Sequence, residues 1–173
     1  MNDDFNLSLD LTIVTETWRE ALGRPRQIVA RAAQVAFRVA SITSGREAEV
    51  AVRLTVDAEV EALNRDFRHK AGPTNVLAFP ALDTNDLEWL PADAPLVLGD
   101  VVIALETTLA EAEAEAKTLE DHVSHLVVHG MLHLLGHDHQ TDKDASFMEQ
   151  LEINALKRLG IKDPYAPEKI LAN

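Results

Sequence analysis

Apolar and polar residues alternate through Leu7, Leu9, Leu11 and Ile13, and again through Ala48, Val50, Val52 and Leu54. A period of two sends alternate side chains to opposite faces of an extended chain, so both stretches predict half-buried strands. Val76-Leu77-Ala78-Phe79, stopped by Pro80, predicts a third strand, and the near-continuous apolar run from Leu96 to Leu105 a buried central one. Elsewhere the period lengthens to that of a helix. Arg24-Pro25 opens a helix that runs to about Ile42, with Ile28, Val35, Val39 and Ile42 among its apolar positions. Asp57 is placed to cap a helix over about 58–67, and Pro73 forces the chain out of helix. Thr107 or Thr108 caps an alanine- and glutamate-rich helix that reaches Lys117. Thr118-Leu119-Glu120-Asp121 starts another, and a last one spans about 142–159 and ends at Gly160. Residues 81–95 carry Asp83, Asp86, Glu88, Asp93, Pro91 and Pro95 and predict an exposed acidic loop. Strands come early and helices gather late. The expectation is an α+β fold: one small mixed sheet of about four strands packed with about five helices, in a single domain over 1–173 with a flexible tail after about 165.

Composition narrows this picture. The chain has no cysteine, so thiolate metal sites and a disulfide-stapled secreted scaffold are both excluded. Any transition-metal site has to be built from His, Asp and Glu. No apolar run is long enough to span a membrane, and the acidic start Met-Asn-Asp-Asp lacks the basic region of a signal peptide. A cytoplasmic protein is expected. The net charge of −13 argues at first against a nucleic-acid partner. Its distribution changes that: residues 1–80 carry ten basic against eleven acidic side chains, whereas residues 81–173 carry six against eighteen. A basic surface in the first half stays open. Arg24, Arg31 and Arg38 recur every seven residues and share a helix face, either as a solvated face or as a stripe facing phosphate.

The strongest chemical signal is His129-Gly-Met-Leu-His133-Leu-Leu-Gly136-His137-Asp138-His139. On a helix, His129 and His133 share a face. Gly136 is suited to end that helix and turn the chain, bringing His139 back as a third ligand. Three imidazoles and one open position describe a catalytic zinc site, not a closed structural one. Metzincin proteases share this spacing but carry a glutamate base directly after the first histidine. Here that position is Gly130, so the ligand frame is present without the protease base. His122 and His125 extend the row towards the N-terminus; His125 is a candidate to orient a ligand from behind and His122 a surface residue. Asp138 and Asp100 are further candidate orienters of a ligand imidazole.

A second cluster, Asn64-Arg65-Asp66-Phe67-Arg68-His69-Lys70, puts three basic side chains at a helix end. It suits phosphate oxygens or a developing pentacovalent charge.

Together these segments resemble the YbeY family, the bacterial rRNA maturation factors. The resemblance rests on His129-Gly130-x-Leu132-His133-Leu134-x-Gly136-x-Asp138-His139, and on Asn64-x-x-Phe67-Arg68-x-Lys70 followed by Pro73-Thr74-Asn75-Val76-Leu77-x-Phe79-Pro80. Leu98-Gly99-Asp100 and Gly160-x-x-Asp163-Pro164-Tyr165 support it, and it covers about residues 47–167. It implies a small α+β fold and a single-strand-specific, metal-dependent endoribonuclease, acting on the 3′ end of 16S rRNA and in ribosome quality control. It also implies one zinc ion on His129, His133 and His139 and a functional arginine at Arg68, with the small ribosomal subunit and its proteins as partners and no DNA. Two positions depart from the family: His137 stands where tyrosine is usual, and Ala78 where serine is usual. The first adds a candidate fourth nitrogen ligand or a pH-sensitive neighbour; the second removes a hydroxyl.

The chemistry expected from these residues is metal-assisted phosphodiester hydrolysis, with Arg68 on the scissile phosphate and Arg65 and Lys70 tracking the strand. Whether water attacks phosphorus directly or the RNA 2′-hydroxyl is activated stays open. The competing readings are a metzincin-like peptide hydrolase and a non-enzymatic ribosome-assembly factor whose metal is structural.

Overall fold

The four stretches with strand patterning pair into one mixed sheet. β1 (Leu7–Ile13) runs parallel to β2 (Ala48–Thr55), and β2 runs parallel to β4 (Leu96–Ala104). β3 (Val76–Pro80) lies antiparallel on the outer side of β4, giving the order β1-β2-β4-β3. This computed structural model describes residues 7–40 and 46–166. The expected helix end at Ile42 and nearly all of the expected tail lie outside the described residues.

Six helices stand among the described residues: α1 (Glu16–Leu22), α2 (Pro25–Ala40), α3 (Asp57–Arg68), α4 (Leu105–Ala114), α5 (Leu119–Leu134) and α6 (Asp142–Arg158). The sequence pattern predicts about five. The additional one is α1, two turns long and too short to establish a period. Thr15 caps it, its hydroxyl accepting from Thr17 N, and Gly23 closes it at φ 72° just before Pro25. It buries Trp18 and Leu22, and the Trp18 indole donates to Thr55 O at 2.8 Å, fastening α1 to the end of β2. The loop at 81–95 contains a 3₁₀ turn at Thr84–Trp89 and is otherwise the acidic, largely exposed segment expected.

The sheet has unequal faces. One carries the main core, in which Val50, Val52, Leu54, Leu98, Val101 and Ile103 meet buried residues of α1, α2, α5 and α6. The other is covered by α3, whose Val60 packs with Leu77, Val102 and Ala104. α5 is the hub of the larger core: Val123, Val127, Val128, Met131, Leu132 and Leu134 have no exposed surface. A helix buried on so many sides is held by packing over its whole length, which makes it a rigid support for side chains on its remaining face. No helix among the described residues is long and apolar enough to cross a membrane.

Asp57 does not cap its own helix. Its carboxylate accepts from Thr107 N at 3.0 Å and Thr107 Oγ1 at 2.6 Å, in the first turn of α4. In return Glu106 accepts from Asp57 N at 2.8 Å, at the start of α3. The two helix starts satisfy each other's free N–H groups. The capping roles expected of Asp57 and of Thr107 or Thr108 are therefore corrected: the helix after β4 starts at Leu105 and its cap comes from α3.

Candidate metal centre and its cleft

His129 and His133 stand one turn apart on the open side of α5. The helix then closes with His137 N donating to Leu132 O at 3.0 Å and Gly136 N donating to His133 O at 3.1 Å. Gly136 has φ 94°, a left-handed value that glycine adopts without strain. The turn carries the chain back so that His139 faces the other two histidines. Nitrogens of all three rings lie within 4.8 Å of one another, and the Nε2 atoms of His129 and His133 are 3.1 Å apart. Tetrahedral coordination at Zn–N distances near 2.0–2.1 Å needs ligand nitrogens about 3.3 Å apart. The donor set, its spacing and its open side therefore fit one divalent ion.

The His129 ring, whose Nε2 faces the other two histidines, is fixed from behind. Its Nδ1 donates to Glu152 Oε1, a buried carboxylate on α6. The other oxygen, Glu152 Oε2, accepts from Tyr165 OH and bonds His125 Nε2 at 3.2 Å. A carboxylate on Nδ1–H leaves the Nε2 lone pair free for a metal. Burial by itself would raise the Glu152 pKa, but the hydrogen bonds from His125, His129 and Tyr165 hold it well below the usual carboxylate range. Burial and the same hydrogen bond push the Tyr165 hydroxyl up. His133 is pushed down to about 4, first by burial and then by His129 and His139 beside it. It is neutral across the physiological range, as a ligand has to be.

The histidines open onto a cleft of about 610 Å³, within the range of small-ligand sites. Its opposite wall is the free edge of β3 with the loop before it: Thr74, Asn75, Val76 and Ala78, together with Arg68 and Lys70. Arg68, the last residue of α3, reaches round this edge to donate from Nη2 to Ala78 O at 2.9 Å. The loop is pinned twice. Buried Asn64 donates to Gly72 O at 3.0 Å, and Asn75 donates to Glu111 Oε2 at 3.2 Å while its Oδ1 accepts from Val76 N.

The structure thus brings Arg68, Lys70, His129, His133, His139 and Asp138 to one cleft. Arg65 does not line it; that guanidinium is exposed and paired with Asp66 at 3.2 Å. Asp138 accepts from His139 N at 2.8 Å and so shapes the turn. His125 lies behind the cluster, bonded to Glu152. His122 is buried, 3% exposed, and not the surface residue expected. It tucks between α5 and α4, its Nε2 3.8 Å from Glu111 Oε1, and burial lowers its pKa. Asp100 is exposed on β4 and lines no part of the cleft. His137 lines the cleft outside the three-nitrogen cluster, its ring 5.6 Å from Phe147. Arg24, just before α2, and Arg31 and Arg38 on it are exposed, away from the cleft lining. The absence of a protease base at Gly130 has a packing reason: a Cβ there would meet Val101 Cγ1 at 2.8 Å. α5 approaches β4 too closely at this point for a glutamate.

Glu152 is the residue that sequence reasoning missed. It interrupts the buried stripe Met148, Ala155 and Leu156 of α6, and a carboxylate on an apolar stripe implies a buried partner. That signal is present in the sequence, though it does not name the partner.

Comparison with known proteins agrees with this geometry. The family model described as Endoribonuclease YbeY matches residues 13–160. A protein of Paramagnetospirillum magneticum named Endoribonuclease YbeY is 46% identical over 94% of this chain and 98% of its own length. One of the same name from Bradyrhizobium diazoefficiens is 55% identical over 69% of this chain and 65% of its own. The solution structure of a Thermotoga maritima protein superposes with a TM-score of 0.52 at 20% identity, covering 92% of this chain and 99% of that one, and shares the fold. The chain belongs to the YbeY family of endoribonucleases.

Proposed function

We propose that this protein is a zinc-dependent endoribonuclease that cuts single-stranded RNA, with the ion on His129, His133 and His139 and the scissile phosphate held by Arg68. The observation that supports this most is the composition of the cleft: three imidazole nitrogens on one wall face a guanidinium and an ammonium on the other. When bound, the ion supplies a Lewis acid that polarises a phosphoryl oxygen and acidifies water.

The chain's own residues do the rest. Glu152 fixes the His129 tautomer, and the low pKa of His133 keeps its lone pair available at neutral pH. One Arg68 nitrogen is committed to Ala78 O, which aims the guanidinium and leaves its other N–H groups for phosphate oxygens, where charge develops in the transition state. Lys70 adds a second cation on the same wall. Arg65, outside the lining, follows the strand beyond the cleft. With Gly130 in place of glutamate, no carboxylate stands at the position where a metzincin keeps its base. Direct attack by water and activation of the 2′-hydroxyl leave different ends, and a 2′,3′-cyclic phosphate would identify the second. The 3′ end of 16S rRNA on the small ribosomal subunit, in the cytoplasm, is the substrate and setting we propose, on the strength of the family resemblance. We take the whole chain, residues 1–173, to act as one domain.

The test is cleavage of a labelled single-stranded RNA by the wild type and by His133→Ala, at matched concentration and with metal content measured. Cleavage by the wild type alone is expected. Equal cleavage would reveal a contaminating nuclease, and no cleavage by either would favour an assembly role over catalysis.

A further inference from the structure

Four aromatic side chains among the described residues are conspicuously exposed: Phe67 at 68%, Trp89 at 81%, Phe147 at 57% and Tyr165 at 44%. Three of them stand among carboxylates. Trp89 lies in the loop with Asp83, Asp86, Glu88 and Asp93; Phe147, packed on His137, has Asp142, Asp144 and Glu149 near it on α6 against the single cation Lys143; Tyr165 gives its hydroxyl to Glu152. A polyanion would be repelled from the first two, and the third is committed to the metal-side network. Phe67 differs in having cations in excess around it: Arg65, Arg68 and Lys70 lie within three residues, against the single carboxylate of Asp66, which pairs with Arg65 at 3.2 Å.

Its geometry is that of a supported platform. The Phe67 ring meets Phe79 edge-on, with centroids 5.8 Å apart and planes at 72°. Phe79 in turn lies beneath the Arg68 guanidinium, 6.0 Å from ring to Cζ. The edge contact fixes the orientation of Phe67 while leaving most of its surface to solvent, and the same Arg68 reaches the cleft through Ala78 O. A ring fixed in this way, one residue from the cation proposed for the scissile phosphate, is placed for the nucleotide next to that phosphate. Single-strand binding proteins combine these two features, a cationic track for the backbone and exposed rings for the bases.

We infer that Phe67 is a base-stacking platform for single-stranded RNA on the β3 side of the cleft, holding one nucleobase adjacent to the phosphate on Arg68. The inference rests on the nuclease reading above and adds a position at which the strand is gripped. Stacking on a ring tolerates every base, so the platform gives preference for single strands without preference for sequence. A duplex, whose bases are already stacked, cannot use it.

The experiment uses the metal-loaded full chain and a short RNA with 2′-O-methyl sugars carrying 2-aminopurine, moved one position at a time. Binding is read by fluorescence, so cleavage is not required. Quenching at one position is expected with the wild type, is lost in Phe67→Ala and is retained in Phe67→Trp. Affinity should fall roughly tenfold to a hundredfold in Phe67→Ala, with metal content and circular dichroism unchanged because the ring is exposed. An abasic residue at the quenched position should cost the wild type the same factor and cost Phe67→Ala nothing further. An equal abasic penalty in both proteins, or quenching abolished by Phe147→Ala in place of Phe67→Ala, would overturn the platform while leaving the nuclease reading intact. No RNA binding by the wild type would overturn both.

Discussion

The two walls of the cleft are built on opposite principles. The histidine wall rests on α5, buried on nearly every side, and its His129, a proposed ligand, is held by a carboxylate that is 1% exposed and itself bonded to His125 and Tyr165. The arginine wall is an exposed helix end and the free edge of a strand, tied down by single bonds from Asn64, Asn75 and Arg68. A metal needs ligand nitrogens fixed to a few tenths of an ångström before it arrives, which buried hydrogen-bond networks can provide. A flexible polyanion needs charge within reach and room to settle, which exposed cations provide. The difference teaches that the two halves of the site should fail in different ways when they are damaged.

Stripping the metal should give the largest effect. Because α5 is held by its apolar contacts, removing the ion with a chelator should lower cleavage at least about a thousandfold, the several kcal/mol a Lewis acid supplies, while far-UV circular dichroism keeps its shape. Unfolding on chelation would mean that the metal is structural and that the histidine wall is not preformed.

Next in size is Arg68→Ala. Removing one preorganised donor to a developing oxyanion costs about a hundredfold to a thousandfold. The loss should appear with bound metal and far-UV circular dichroism unchanged, since Arg68 is exposed and touches none of the three histidines. Arg68→Lys should restore only part of it, a point charge lacking the fork that grips phosphate and Ala78 O together. A loss of bound metal in either variant would break the separation between the walls.

Glu152→Gln strikes the histidine wall from behind. The amide keeps the shape but not the charge that holds the Nδ1 proton, so metal affinity should fall about tenfold to a hundredfold. Competition with a chromogenic chelator measures this directly. At saturating zinc, the RNA concentration for half-maximal cleavage should be unchanged; a shift there would mean that Glu152 also shapes the RNA wall.

How much of this was legible in the sequence follows the same division. Strands β1 to β4, with the three histidines and Gly136, could be read because each is a local pattern: a period of two, a period near four, a glycine at a helix end. What escaped was delivered from elsewhere in space. Asp57 looks like the cap of its own helix and caps α4 instead. His122 looks like a surface residue and is covered by α4. Asp138 and Asp100 are the carboxylates nearest the ligands in sequence or in an apparent strand end, yet the carboxylate on His129 comes from α6, twenty-three residues away along the chain. Hydrogen bonds across such separations leave no periodicity, only an unexplained charge on an apolar stripe.

The smallest effect concerns pH and the metal-free protein. His133 is held down to about 4, and burial also lowers His122 and His137. Each binds its proton less readily in the fold than in the unfolded chain, where a histidine takes one up near pH 6.5. The unfolded state therefore binds more protons below that value, so the stability these groups contribute is complete above about pH 6.5 and is lost as pH falls, for His133 towards 4. Glu152 acts in the same direction lower down, because its folded pKa lies below its unfolded one and its contribution is lost as pH falls below about 4.5. The metal-free melting temperature should fall by several degrees between pH 7 and pH 5, about 2–4 °C for each kcal/mol lost. His122→Asn should flatten part of that slope without touching the cleft, because His122 lies on the side of α5 that faces α4 and not in the cleft lining. An unchanged slope in that variant would leave His133 and His137 as the sources, and the pH sensitivity would then belong to the cleft side of the histidine wall alone.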